Sequence, residues 1–347
     1  MSLRPWAVIV ALAIILTVGG GSPGTYAEQM EDPDSSTIPI GMAVEFMDHA
    51  ACAFVAREMG WYKQEGLNIS VYESYVTGMA LAAAFARGDI QVAYMCLVPA
   101  INLYANARVP IKIVAGTHKY GYGLVINPEK IKTVKDLENP DIRTGCVGEG
   151  GAVDVIMLNK MIDEYHIDKE KISKNIRRMS PPKQVVAIIA GKLDAAFLPE
   201  QWATMAEELG CQMLLTSRDV WPEVQGSVLV VKEDLLHNHP EIVRKLVKVT
   251  KKATDWIRQN PDSAAGIVAR HLSCARKRLM PTRAGMLDTN LHITPQTISR
   301  SMKRMVITTD LEPDVVQDMI DYMVSLGYIR AGFKAGHVLY LNYLYDE

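Results

Sequence analysis

Between residues 75 and 100 a helical spacing of apolar positions gives way to a short, continuous apolar run. Thr77-Gly78 precedes an alanine-rich helical pattern, and Gly88 stands where a helix usually ends. The run Ile90–Tyr94 follows, and short apolar runs of this kind are typical of strands covered on both faces. The stretch therefore predicts a helix, a tight turn and a buried strand.

A second copy of this unit begins further along the chain. Gln184–Phe197 (QVVAIIAGKLDAAF) again places a helical pattern, a glycine and an apolar run in that order. Within it, Leu193–Phe197 corresponds to Ile90–Tyr94 of the first copy. Two copies of one helix–strand unit predict two similar lobes, and two lobes predict a cleft between them.

The other apolar segments also alternate between strand and helix patterns, which is typical of parallel sheets with helices on both faces. Strands are predicted at 38–44, 68–72, 111–115, 142–147, 176–179, 213–216 and 228–231, and helices at 50–59, 152–164, 234–260 and 313–326. The glycines of Tyr120–Gly123 predict a crossover between the lobes. We therefore predict an α/β fold with lobe 1 at 38–121 and 228–347, including a C-terminal helical cap, and lobe 2 at 122–227.

The N-terminus carries an export pattern. Arg4 precedes the apolar run Ala7–Val18, and Thr25-Tyr26-Ala27 has small residues at the two positions that a signal peptidase reads. The run is shorter than the ~20 residues that span a bilayer, which argues against the alternative of a membrane anchor. We predict a signal peptide at 1–27 and a periplasmic or otherwise extracytoplasmic protein.

Composition excludes several classes of function. The 347 residues favour two domains, and the net charge of −2, without a block of Lys and Arg, gives no reason to expect nucleic acid. The chain has no Walker loop, HExxH motif or CxxC pair. Its five cysteines are scattered without metal-ligand spacing, which favours buried free thiols. We therefore predict no catalytic residues, no metal site and no cofactor.

In open parallel sheets, ligands bind at the carboxyl ends of strands, where loops lead into helices. The predicted ligand-binding residues at these ends are Asp48, His49, Thr77, Gly78, Met95, Gly150, Gly151, Glu200 and Trp202. Backbone N–H groups at helix starts can bind polar oxygens without a charged side chain. Several of these residues have a structural alternative, since Asp48 and Thr77 are typical helix caps and Trp202 is a typical core residue.

Carboxylates outnumber cations near the predicted cleft. They are Glu45, Asp48, Glu149 and Glu200, against His49, Lys119 and Lys183. A buried carboxylate repels an anion but accepts a strong hydrogen bond from an amino group. The sequence therefore favours a ligand with at least one N–H donor, such as an amino-pyrimidine, over nitrate or a sulfonate. We predict that Glu200 and Trp202 select it.

Several segments, taken in order, are similar to those of one family. They are GWYKQEGLNI at 60–69, ARGDIQVAY at 86–94, AGKLDAAFLPEQWAT at 190–204, SRDVWP at 217–222 and LVVKEDLLHNHPEIV at 229–243. The chain resembles the solute-binding proteins of ABC importers for nitrate, sulfonates, taurine and thiamine-type pyrimidine precursors. The resemblance covers nearly the whole mature chain and implies a two-lobed periplasmic-binding-protein fold of type II, with a hinge and an interlobe ligand site.

The resemblance further implies a non-enzymatic protein whose partners are a small polar ligand and an ABC permease with its ATPase. We expect a monomer. The alternative is an enzyme on the same fold, of thiamine-pyrimidine synthesis or of the menaquinone pathway. The export pattern argues against such an enzyme, because its substrates are cytoplasmic. The cysteine-rich cluster of the pyrimidine synthases is also absent around Cys96.

Overall fold

The structure is a computed structural model that describes residues 38–279 and 291–345. The predicted signal peptide lies outside these described residues. Within them the chain forms two β-sheets with helices packed around both.

Eleven strands are found in the described ranges. They are β1 (Pro39–Glu45), β2 (Asn68–Tyr75), β3 (Val92–Cys96), β4 (Ile111–Tyr120), β5 (Tyr122–Ile126), β6 (Thr144–Cys146), β7 (Ile176–Arg178), β8 (Ala195–Pro199), β9 (Gln212–Thr216), β10 (Gln225–Lys232) and β11 (Met305–Ile307).

The α-helices of the described ranges are α1 (Ala51–Glu58), α2 (Trp61–Gln64), α3 (Gly78–Arg87), α4 (Leu97–Ala105), α5 (Lys160–Glu164), α6 (Lys169–Asn175), α7 (Pro181–Ile189), α8 (Glu200–Glu208), α9 (Ser217–Val220), α10 (Glu233–Asn238), α11 (Pro240–Gln259), α12 (Pro261–Leu279), α13 (Pro295–Met302), α14 (Pro313–Ser325) and α15 (Asn342–Tyr345). Short 3₁₀ helices occupy Asp48–Ala50, Val134–Glu138 and Ala335–His337, and a π-helix occupies Asp154–Asn159.

The two sheets share one arrangement of strands. The six-stranded sheet has the order β11-β4-β10-β3-β1-β2, and the five-stranded sheet has the order β7-β6-β8-β5-β9. In each, one strand is inserted antiparallel between two strands of the common direction, β10 between β3 and β4 and β5 between β8 and β9. At the edge of the six-stranded sheet β11 also pairs antiparallel with β4. Four strands of each sheet run in a common direction. The α/β prediction, with two mostly parallel sheets flanked by helices, is confirmed.

The sequence repeat corresponds to the strands beside these antiparallel insertions. β3 and β8 begin two residues after the start of each predicted run, and each leads directly into a helix, α4 or α8. Gln91 and Asp194, the matched polar residues before the strands, have the same role. The Gln91 side chain accepts a hydrogen bond from the Gly41 backbone at 2.7 Å, and Asp194 accepts one from the Arg143 backbone at 2.9 Å. Each polar side chain thus ties its strand to the neighbouring one.

The chain passes from one sheet to the other through a single residue. β4 ends at Tyr120 and β5 begins at Tyr122, so the predicted crossover contains a strand that the sequence did not predict. Gly121 adopts φ +95°, and an added Cβ would lie 2.7 Å from Nε2 of His49. Both the left-handed backbone and the lack of space require glycine here.

Two predicted helices differ from those observed. The segment 234–260 forms α10 and α11, because Pro240 has no N–H to continue the first helix and instead begins the second. The segment 152–164 contains the π-helix before α5, in place of one regular helix.

Candidate functional site

A cavity of about 210 Å³ is lined by residues at the carboxyl ends of strands from both sheets. The six-stranded sheet contributes Glu45, Thr77, Gly78, Cys96 and Pro99, among others. The five-stranded sheet contributes Tyr122, Val147, Gly148, Gly151, Pro181 and Pro199, among others. The cavity therefore lies where the strand-and-helix pattern predicts a cleft.

Three of the predicted ligand-binding residues line this cavity, Thr77, Gly78 and Gly151. The Thr77 hydroxyl accepts a hydrogen bond from the Ala80 backbone at 3.2 Å and so caps α3. The capping alternative is thus correct for Thr77, and the residue borders the cavity as well.

Gly78 brings the start of α3 against the floor of the cavity. A Cβ added at this position would lie 2.3 Å from Oε1 of Glu45 and 2.6 Å from Cγ of Pro99. Real Cβ atoms do not approach other heavy atoms so closely, so only glycine fits. Its missing side chain allows the helix backbone to approach the Glu45 carboxyl group.

Glu45 is the acidic residue of the cavity lining. Its Oε1 accepts a hydrogen bond from the Cys96 backbone N–H at 3.0 Å, and the Cys96 thiol donates to Oε2 at 2.9 Å. Burial raises the pKa of Glu45 to about 7, although both hydrogen bonds act to lower it. Near neutral pH the Glu45 carboxyl group therefore exchanges between its protonated and its ionised form.

His49 lies directly behind Cys96. Its Nε2 is 2.8 Å from the Gly121 carbonyl oxygen, and its Nδ1 is 3.7 Å from the Cys96 sulfur. Burial, followed by the neighbouring His118 ring, lowers the pKa of His49. The residue is buried and does not border the cavity, so its predicted ligand contact stays a prediction.

Asp48 is directed away from the cavity towards the C-terminal segment. Its backbone N–H donates to Oε1 of Gln201 at 3.0 Å, and the Ser301 hydroxyl donates to its carboxylate. Met47 occupies the cap position of this short helix, and Asp48 is the first residue within it. Burial raises the pKa of Asp48 to about 7.

Glu200 and Trp202 begin α8 on the far side of Pro199, and neither lines the cavity. The Glu200 carboxylate accepts a hydrogen bond from Arg304 at 2.8 Å. Burial raises the pKa of Glu200, an effect that Arg304 opposes. Trp202 is fully buried against Phe46, as the core alternative predicts. Selection of a ligand by this pair stays a prediction.

Met95 and Gly150 also lie outside the cavity lining. Met95 is fully buried within β3, one residue before the cavity-lining Cys96. The Gly150 carbonyl accepts a hydrogen bond from the Asn102 side chain at 3.0 Å, and its N–H donates to Asp154 at 3.1 Å. Gly150 thus connects the loop after β6, in the five-stranded sheet, to α4, the helix that follows β3 of the six-stranded sheet.

Several lining residues were not among the predicted ligand-binding residues, although the repeat places two of them beside the cleft. Cys96 and Pro199 end the two matched strands β3 and β8, and both border the cavity. Tyr122 borders it at the start of β5 and donates its hydroxyl to the Cys96 sulfur at 3.0 Å. The last residue of each repeated strand therefore marks the site, and Pro99 of α4 adds to it on the side of the six-stranded sheet.

The charge of the lining is distinctive. Among the described residues that border the cavity, none is lysine or arginine, and Glu45 is the acidic group. Hydroxyl, thiol and backbone groups provide the remaining polarity. The lining thus offers no cationic side chain to an oxyanion.

None of the helices in residues 38–279 and 291–345 is long and apolar enough to cross a membrane.

Comparison with known proteins gives a consistent result. Residues 31–273 match the sequence model of the NMT1-like family. The chain is 24% identical over 268 residues to the taurine-binding periplasmic protein of Escherichia coli, which covers 74% of this chain and 79% of that protein.

Solved structures show the same fold. The periplasmic aliphatic sulphonate binding protein SsuA of Escherichia coli superposes with a TM-score of 0.70 at 14% identity, over 90% of this chain and 100% of the other. The periplasmic nitrate-binding protein NrtA of Synechocystis superposes with a TM-score of 0.69 at 13% identity, over 89% and 88% of the two chains.

Proposed function

Because the chain belongs to the NMT1-like family, we propose that it is an exported solute-binding protein that captures a small polar ligand between two lobes and delivers it to an ABC importer. In this proposal lobe 1 comprises 38–121 and 228–347, and lobe 2 comprises 122–227. The observation that carries the proposal is the cavity at the strand ends of both sheets, since such ends are the usual ligand sites of open α/β sheets.

The partners follow from the relatives. The taurine, sulphonate and nitrate proteins named above are binding proteins, which favours capture over catalysis, the alternative left open by the sequence. A captured solute requires a permease and an ATPase to cross the membrane. We include both as the partners of this protein.

We expect the ligand of this chain to differ in charge from the sulphonate and the nitrate bound by two of those relatives. A sulfonate or nitrate would meet the Glu45 carboxyl group and no cationic side chain in the lining. An uncharged ligand with an N–H donor would instead gain a hydrogen bond to Glu45, strengthened when that group is ionised. We therefore place an amino-pyrimidine or a similar small heterocycle ahead of nitrate and alkyl sulfonates.

Native mass spectrometry of the freshly purified, exported protein tests the function. The expected result is a bound small molecule that is released on unfolding. Calorimetry should then show binding of an amino-pyrimidine and no binding of nitrate or an alkyl sulfonate. Tight binding of an oxyanion would refute the charge argument and leave the function standing. Absence of both a retained molecule and any binding across the panel would count against the function itself.

Glu45→Gln separates the charge of this residue from its shape. Removing the ionised acceptor of a buried hydrogen bond costs roughly 1.5–3 kcal/mol, or about ten- to a hundredfold in affinity. Glu233→Gln is a matched control, because Glu233 is a partly exposed residue outside the lining. Equal affinity of Glu45→Gln and the parent would show that Glu45 does not contact the ligand.

A further inference from the structure

Three potential metal ligands converge at the inner wall of the cavity. One carboxylate oxygen of Glu45, one ring nitrogen of His49 and the sulfur of Cys96 all lie within 4.8 Å of one another. The residues come from three parts of the fold, the end of β1, the short helix after it and the end of β3, which pairs with β1. Glu45 and Cys96 also border the cavity, so an ion could reach the cluster from there.

Two of the three side chains are each oriented by a hydrogen bond with a backbone group. The Gly121 carbonyl, 2.8 Å from Nε2 of His49, fixes the proton on that nitrogen and leaves the Nδ1 lone pair directed towards Cys96. The Cys96 backbone N–H holds Oε1 of Glu45 and leaves Oε2 directed towards the sulfur. Such outer contacts, in particular a histidine N–H on a backbone carbonyl, are typical of protein metal sites.

The separations fit zinc with little movement. With Zn–S near 2.3 Å and Zn–N near 2.0–2.1 Å, tetrahedral coordination places sulfur and nitrogen about 3.6 Å apart. The observed distance from the Cys96 sulfur to Nδ1 of His49 is 3.7 Å. The distance from the sulfur to Oε2 of Glu45 is 2.9 Å, so the carboxylate would move outwards by about 0.7 Å to share the ion.

We propose that Glu45, His49 and Cys96 bind one Zn²⁺ ion whose fourth coordination position opens into the cavity. A mixed set of sulfur, nitrogen and oxygen donors suits zinc better than magnesium or calcium, which prefer oxygen alone. The thiol releases its proton to solvent on binding, and the thiolate and carboxylate together balance the two charges of the ion. Tyr122 and Ser227 stabilise the thiolate by donating hydroxyl hydrogens towards the sulfur at 3.0 and 3.6 Å.

The role of the ion towards the solute rests on the proposed function. Three protein ligands leave one position of a tetrahedral ion free, as in zinc sites that bind an exchangeable molecule. A ring nitrogen of a heterocycle can fill this position with its lone pair. With zinc bound, Glu45 is occupied by the ion, and the solute is held by coordination in place of an N–H hydrogen bond.

Zinc binding is measured on untagged, chelator-treated protein by calorimetry with ZnCl₂ alone. We expect one ion per chain for the parent. Cys96→Ser and His49→Gln should each weaken binding by about a hundredfold or more, since removing an outer contact alone costs 10–100-fold at metal sites. Cys52→Ser, which removes an equally buried thiol outside the cluster, should bind as the parent does.

Cobalt provides a readout that does not depend on the variants folding. Co²⁺ added to the parent should give the near-ultraviolet thiolate-to-cobalt absorption, and Cys274→Ser, which removes an exposed thiol, should retain it. The proposal is overturned if the parent binds no zinc, if Cys96→Ser binds it undiminished, or if Cys274→Ser abolishes the cobalt absorption. A chelator-treated protein that still binds its solute but never zinc would overturn the metal site and leave the solute-binding function intact.

Discussion

Gly78→Ala tests the close packing on which the cavity depends. The substitution adds one methyl group at the first residue of α3. That group would lie 2.3 Å from Oε1 of Glu45 and 2.6 Å from Cγ of Pro99. Pro99 is a rigid ring within α4, and Glu45 can move away only by breaking its hydrogen bond from Cys96.

The cost follows from these two contacts. Displacing Oε1 of Glu45 breaks the 3.0 Å hydrogen bond from the Cys96 backbone, and a buried group left unpaired costs about 1–3 kcal/mol. The clash with Pro99 forces a backbone shift of the kind that costs typically ~1–3 kcal/mol. Alanine also has less conformational freedom than glycine in the unfolded chain, which stabilises the folded state by less than about 1 kcal/mol. We expect a net loss of about 2–4 kcal/mol in the free energy of unfolding.

Urea unfolding followed by circular dichroism measures this loss. Gly148→Ala is the matched control, because Gly148 also lines the cavity but an added Cβ there meets nothing within 4 Å. We expect its free energy of unfolding to stay within about 0.5 kcal/mol of the parent, the usual range for substitutions that break no contact. Equal stability of the two variants would refute the packing argument.

Three further predictions concern buried contacts. Asp48→Asn should remove a pH dependence of stability. Between the ordinary pKa of 3.8 and the raised value of about 7, the unfolded chain carries the charge and the folded chain does not. The parent should therefore lose up to roughly 4 kcal/mol of unfolding free energy as the pH rises through this interval, as measured by urea unfolding at pH values on either side; an unchanged slope in the variant would contradict this. Glu200→Gln should lower stability by about 1–2 kcal/mol through its lost ion pair with Arg304. Calorimetry on the same variant tests ligand selection by Glu200, and unchanged affinity would contradict it. A tenfold loss of affinity would instead confirm its predicted ligand contact. Tyr328→Phe removes a 2.5 Å hydrogen bond to Asp154 and should increase the radius of gyration of the ligand-free protein in solution scattering. Identical scattering would show that this bond does not hold the lobes together.

Local sequence patterns predicted those elements whose formation depends on local rules. The apolar runs predicted β3 and β8. Thr77 predicted the start of α3, because a threonine cap needs a hydrogen bond only from the first turn of its own helix. β5 was missed because its pairing partners, β8 and β9, lie far along the chain. The apolar residues Leu124–Ile126 fit a strand, but the glycines before them were interpreted as a crossover.

The candidate site shows the same limit. Glu45 and Glu200 both stand at the junction of a strand and a helix, so local reasoning could not rank them. Arg304, 104 residues away, binds Glu200, whereas Cys96, 51 residues away, holds Glu45 at the cavity. The choice between the two carboxylates is made by tertiary contacts that spacing alone does not encode.

The placement of the two antiparallel strands has a consequence for biosynthesis. All strands of the five-stranded sheet lie between Tyr122 and Thr216, so this sheet is complete as soon as that stretch has left the ribosome. The six-stranded sheet cannot close until β10 emerges to fill the gap between β3 and β4. The part of the chain made first is therefore finished last, and its open strand edges need a chaperone or a growing neighbour to cover them in the meantime.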